Sequence, residues 1–169
     1  TVERGAMPSP ARVAPTPASG TTVLVRDVGR LTAMVADAEK LRQARAAERL
    51  SLEHERKRLR SSGIEREPVW MSIDDNWAGY DILSFEHSAT GITSRMIEVK
   101  STMVSPLRFF LTRNEWKKCL EVGSAYLIHA WDMRSEQLFV RTAEQIAEHV
   151  PEDRGKGRWA SVEIRLGNP

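Results

Sequence analysis

The sequence predicts an α/β domain: one sheet with a helix on each face. Three observations carry this. A long stretch with helical periodicity, residues 31–61, is followed from Val69 by strand-like segments and turn residues. A capped helix then leads into the apolar run Ser124–Trp131, which reads as a buried strand. The length, 169 residues and 19.1 kDa, suits a single domain.

The elements follow in order. Residues 1–20 hold prolines at 8, 10, 15 and 17 and no Leu, Ile or aromatic residue, so they read as a flexible Pro/Ala-rich linker or tail. The domain is expected over 21–169. The chain opens at Thr1, which suggests a piece of a longer polypeptide. Leu31, Met34, Val35, Ala38, Leu41, Leu52 and Leu59 recur near the 3.6-residue period, and Gly63 supplies a stop. Val69–Ser72 is a short strand. Asp74, Asp75, Asn76 and Gly79 form a polar loop around Trp77. Tyr80–His87 and Ile92–Lys100 are strands joined by a hairpin turn at Ser88-Ala89-Thr90-Gly91. Leu107–Leu111 is a fourth strand. Thr112 caps a helix to about Val122, with Glu115 as its capping-box partner and Gly123 as its stop. Gln137–Val140 pairs with the apolar strand, Thr142–His149 is a short helix, and Arg158–Leu166 is a final edge strand.

Composition excludes several classes. No run of about 18 apolar residues is present, and no charged-then-apolar leader opens the chain. A single cysteine, Cys119, rules out an internal disulfide framework and a cysteine zinc site. His54, His87, His129 and His149 have no metal-ligand spacing. A cytoplasmic location fits this thiol count. Net charge is only +2, yet residues 40–60 carry eight Lys or Arg against three Glu. That helix face suits a DNA backbone, although intrahelical pairs such as Glu53–Lys57 account for part of it.

The chemistry concentrates in two strands. Residues two apart on a strand share a face, so Glu98 and Lys100 point the same way. Pairing of the two strands brings Asp81 to that end of the hairpin. Two carboxylates and a backbone carbonyl form a hard oxygen set for Mg²⁺ or Mn²⁺, and a lysine there can orient water or offset phosphate charge. A Glu-x-Lys pair alone is more often a solvated ion pair. On the long helix, Glu48 and Glu55 interrupt the stripe made by Leu41, Leu52 and Leu59. A carboxylate aimed at the sheet needs a partner: a metal-bound water, Lys100, or a nearby arginine. Arg113, Asn114, Lys117 and Lys118 start the second helix, a setting suited to phosphate. Trp116, Cys119 and Tyr126 read as packing residues.

Three blocks stand out together. They are Gly79-Tyr80-Asp81-Ile82-Leu83-Ser84-Phe85, then Ile97-Glu98-Val99-Lys100-Ser101-Thr102, then Phe109-Phe110-Leu111-Thr112-Arg113-Asn114-Glu115-Trp116. Over roughly residues 44–132 this arrangement resembles the PD-(D/E)XK nuclease superfamily, and within it the NO VEIN C-terminal family of bacterial restriction and phage-defence proteins. The resemblance implies a restriction-endonuclease-like αβββαβ core with a mixed central sheet. It implies Asp81, Glu98 and the Val99 carbonyl as metal ligands, Lys100 as catalytic lysine and Glu48 as the helix glutamate. It implies Mg²⁺-dependent endonucleolytic hydrolysis of DNA, with Mn²⁺ as a substitute. Arg113, Asn114 and Lys117 are then expected to contact nucleic acid, helicase-like domains or subunits to accompany the chain, and two copies to serve double-strand cleavage. The alternative is a catalytically silent DNA-binding or protein-interaction module on the same fold.

Overall fold

The computed structural model describes residues 20–71, 78–153 and 157–166. The expected tail before Gly20 and the loop residues Asp74, Asp75, Asn76 and Trp77 lie outside these residues. The chain divides into two units, 1–38 and 39–169. Helix α1 runs Gly20–Ser61, longer than its periodicity predicts. In the first unit Val28, Leu31, Met34 and Val35 are each at least 60% exposed. Leu41 in the second unit is equally exposed, so this part of the expected apolar stripe is not core. A period marks a common face and does not supply a partner for it.

The main sheet holds five strands in the order β1-β2-β3-β5-β6. These are β1 (Val69–Trp70), β2 (Ile82–Ser88), β3 (Gly91–Thr102), β5 (Tyr126–Asp132) and β6 (Gln137–Thr142). β1–β2, β2–β3 and β5–β6 pair antiparallel, whereas β3–β5 is parallel, so the sheet is mixed. Ser88 pairs with Gly91, leaving Ala89-Thr90 as the hairpin turn. The parallel pairing requires a crossover, supplied by β4 (Arg108–Thr112) and helix α2 (Arg113–Val122). The expected fourth strand does not join this sheet. β4 pairs with β7 (Ser161–Arg165) in a separate two-stranded sheet, so the last strand is not an edge of the main one. β7 alternates polar and apolar residues and β4 alternates in burial, with Phe110 outward, and burial of Phe109, Leu111 and Ile164 on one face holds them together. A short helix α3 (Ala143–Ala147) follows β6. Among the described residues no helix is long and apolar enough to cross a membrane.

Two cores sandwich the sheet. On one face Leu52 of α1 packs against Ile82, Ile97 and Leu127. On the other, Cys119 of α2 packs with Tyr126, Ile128, Phe139 and the β4–β7 pair. The α1 face is half polar: Ala47, Glu48, Ser51, Leu52, Glu55 and Leu59 are all buried. Glu55 has no exposed surface. Its carboxylate accepts from Arg58 at 2.6 Å and from Ser84 Oγ at 2.6 Å. Trp131 Nε1 donates to Ser51 Oγ at 2.7 Å, and His129 Nδ1 lies 3.3 Å from the same hydroxyl. Burial pushes His129 down to about 4, so the ring is neutral. Burial opposes ionisation of Glu55, but the Arg58 and Ser84 contacts outweigh it and hold its carboxyl below the usual range.

Removing one member of this network exposes its worth. Arg58→Ala strands a buried carboxylate, which costs about 3–5 kcal/mol, or roughly 10 °C in Tm. The wild-type contribution is present at neutral pH and is lost as pH falls through the depressed Glu55 value. The variant's deficit is therefore large at neutral pH and shrinks in acid, where the stranded carboxylate takes up a proton. Thermal melts across pH check this; a deficit independent of pH contradicts it.

Candidate active site

The site forms where β2 begins. The register sets Ile82 opposite Ile97, yet the Asp81 N–H also donates to the Ile97 carbonyl, at 2.9 Å. Two residues thus address one partner, as at a bulge, which re-aims the Asp81 side chain. The Asp81 carboxylate turns back onto β3 and accepts from the Val99 N–H at 2.8 Å. An extended residue directs its N–H and C=O to the same side, so the Val99 carbonyl also faces the start of β2.

Glu98 and Lys100 lie on the opposite face of β3 from Ile97 and Val99, toward α2. Lys100 Nζ is 2.7 Å from Glu98 Oε1 and 2.8 Å from Glu115 Oε2. Its side chain is 15% exposed. Tyr126, wholly buried, places its hydroxyl 3.0 Å from the Gly79 carbonyl and 3.4 Å from Glu98 Oε2. Gly79 has φ +74, and a Cβ there would meet Lys118 Cγ at 3.2 Å. The approach to Asp81 therefore favours glycine on conformational grounds.

Charge is unbalanced here. Among the described residues, Asp81, Glu98 and Glu115 face a single ammonium, that of Lys100. Burial pushes the Asp81 carboxyl up to about 6, with the Glu48 and Glu115 charges adding and the Val99 N–H and Lys100 opposing. Burial also pushes Glu98 up to about 8, where Asp81 and Glu115 add to it against Lys100. Burial would lower Lys100, but the Glu98 and Glu115 carboxylates outweigh it and hold the ammonium above its ordinary value. Glu115 shows the reverse balance: burial raises it, yet Lys100 and the Thr112 N–H hold its carboxyl below the usual range.

The sequence of those three blocks matches a known family model, described as "Protein NO VEIN, C-terminal", over residues 47–142. The chain belongs to the NO VEIN C-terminal family. No curated protein and no solved structure shows a significant match. Within this family member, Asp81, Glu98, Val99 and Lys100 converge. Glu48 stands near enough to raise Asp81, and its carboxylate accepts from Arg45, at 2.8 Å, and from Trp70 Nε1. The arginine, among the three partners the sequence left open, is present.

The expected nucleic-acid residues divide. Arg113 is engaged: it forms a two-point pair with Asp153, one contact at 2.6 Å, and stacks over Trp159. Asn114 and Lys117 are exposed on α2. The arginines of the basic run in α1 are largely paired, although the run keeps a positive excess. Arg42 pairs with Glu39, Arg58 is half-buried against Glu55, and Glu53 faces Arg56 and Arg60 where Lys57 was expected. Among the described residues no three His, Cys, Asp or Glu side chains form a metal cage. The oxygen set is two carboxylates and a carbonyl.

Two residues of the site escape a sequence reading. Glu115 reads only as a cap, although it shares a helix face with Cys119 and Val122 at spacings of four and seven. Tyr126 reads as packing, and nothing in its neighbourhood signals that its hydroxyl meets Glu98.

Proposed function

We propose that this chain is a PD-(D/E)XK endonuclease domain, with a restriction-endonuclease-like core, that hydrolyses DNA phosphodiester bonds with a divalent metal inside a larger restriction or phage-defence protein. One observation carries the reading. Asp81 is pinned to the backbone of Val99, between Glu98 and Lys100, so two carboxylates, a carbonyl and a lysine lie beside one strand, a set that metal-assisted phosphodiester hydrolysis would use. The residues present fit a hard cation. They offer oxygen only, and Asp81 and Glu98 are both raised well above ordinary carboxyl values, which an added positive charge would relieve. Asp81, Glu98 and the Val99 carbonyl would hold Mg²⁺, or Mn²⁺ in its place. When bound, such an ion supplies an acidified water and neutralises phosphate charge.

The chain's own residues do the rest. Lys100, kept protonated by its carboxylate neighbours, orients water and counters the charge that grows on the phosphate. The Val99 N–H fixes which way Asp81 points. Tyr126 ties the Gly79 turn to Glu98 and so links the two carboxylate-bearing segments.

Supercoiled plasmid is the substrate for the test. Nicking or linearisation is expected with Mg²⁺ or Mn²⁺ and is expected to fall to background with EDTA. Absence of cleavage in the full-length parent protein under Mg²⁺ and Mn²⁺ would overturn the enzymatic reading and leave a DNA-binding or docking module.

A further inference from the structure

Lys100 carries two carboxylate contacts, and only one belongs to the Glu-x-Lys motif. The second comes from Glu115, the third residue of α2. Glu115 also completes the capping box of that helix: the Thr112 N–H donates to Glu115 Oε2 at 2.9 Å, and the Glu115 N–H donates to Thr112 Oγ1 at 3.3 Å. The oxygen that receives the Thr112 N–H is the one 2.8 Å from Lys100 Nζ. One atom therefore joins the start of α2 to the lysine.

Capping alone does not call for a carboxylate. The same chain provides the comparison. Helix α3 begins with an identical device at Thr142, where the third residue is Gln145: the Thr142 N–H donates to Gln145 Oε1 at 3.0 Å. An amide closes that box, and either Glu or Gln satisfies it. Gln145 is exposed to solvent. Glu115 faces a cation: its Oε2 lies 2.8 Å from the Lys100 ammonium. Since either residue type closes the box, the carboxylate at 115 answers to Lys100 rather than to the helix end.

We infer that Glu115 is a positioning residue for Lys100. Building on the nuclease reading above, it holds the ammonium in a fixed direction so that the hydrogen not shared with Glu98 or Glu115 is presented to water or phosphate. An ammonium has three donors; the two carboxylates engage two of them. Without Glu115, Lys100 retains only Glu98, and a single contact leaves the long side chain free to rotate. The capping box then makes the placement rigid, because α2 cannot slide without moving the lysine.

The test is Glu115→Gln in the full chain, read in three ways. Thermal stability should stay close to wild type, since glutamine still caps. In plasmid cleavage, kcat should fall about 10–100-fold with little change in KM for DNA. Reductive methylation with formaldehyde and borohydride, followed by mass spectrometry, should label Lys100 several-fold faster in the variant. Glu115→Asp, which keeps the charge on a shorter stem, should recover part of both kcat and protection. Gln145→Ala is the control: it should lower stability and leave kcat and Lys100 labelling unchanged. Equal labelling of Lys100 in wild type and E115Q overturns the positioning role whether or not the protein cleaves DNA. A wild type that is inactive but shows the labelling difference instead defeats the nuclease reading and leaves the placement of Lys100 intact.

Discussion

Lys100→Met is expected to abolish DNA cleavage while tightening, not weakening, the grip on Mn²⁺. The methionine keeps the unbranched stem, so the change is chiefly one of charge. In the wild type three carboxylates, Asp81, Glu98 and Glu115, share one ammonium, at 2.7 Å from Glu98 and 2.8 Å from Glu115. Without it the carboxylates that stay ionised in the cluster lose the one ammonium that faces them among the described residues. The metal-free protein then loses about 3–5 kcal/mol, the usual penalty for stranding buried charge. A divalent ion offsets more of that repulsion in the variant than in the wild type. Calorimetry should therefore give a lower Kd for Mn²⁺, and the Tm gain on adding Mn²⁺ should exceed that of the wild type. Cleavage should fall by about 10²–10³-fold, the range for removing one group that stabilises charge in a transition state. If Lys100 were only a surface partner of Glu98, the pair would contribute at most about 1 kcal/mol and the variant would cut DNA almost normally. Near-normal nicking defeats the assignment.

Asp81→Asn should do the opposite for the fold: it should stabilise the metal-free protein and erase its response to Mg²⁺. Asparagine presents the same oxygen to the Val99 N–H, so the hydrogen bond at 2.8 Å survives while the charge goes. The folded-state Asp81 value lies above its ordinary one, rising from 3.8 to about 6. Over that window the folded chain keeps a proton that the unfolded chain has released, so stability falls as pH rises through it and stays reduced above. The amide escapes this loss. The gain should be about 1–3 kcal/mol near neutral pH, which is roughly 3–9 °C in Tm, and should fade below the ordinary aspartate value. Melts at several pH values decide it: no gain at neutral pH, or an equal gain in acid, means that Asp81 is not electrostatically strained. A site that is more stable once disarmed is the usual mark of function held against stability.

Elements with local signals were legible in the sequence, and so were most strands. The Thr112 box and the Gly123 stop of α2 come from residues within one turn of each other, and the structure shows both. The Ser88–Gly91 hairpin is equally local. Pairings over long separations were not legible. The aromatic run in β4 and the alternation in β7 mark each as a strand, but nothing in either names the other as partner. Arg113 reads as a basic residue at a helix start, and its partner Asp153 lies forty residues away. Of the site, Asp81, Glu98 and Lys100 could be read because they sit on one hairpin. Glu115 could not, because its capping role already explained it.

That hairpin has a consequence for the order in which the site is made. Asp81, Glu98 and Lys100 come together when β2 closes on β3, an event of about 1–10 μs for an isolated hairpin. Glu115 and Tyr126 arrive only after the chain has run from Thr102 through β4 and α2 to set β5 parallel to β3. Such non-local closure is the slow part of folding. The young hairpin thus carries its carboxylates in water, where they ionise at ordinary pH. Docking of α2 and β5 then seals Glu98 away. Proton uptake by the refolding chain should accordingly lag behind strand formation and keep time with the closing of the crossover.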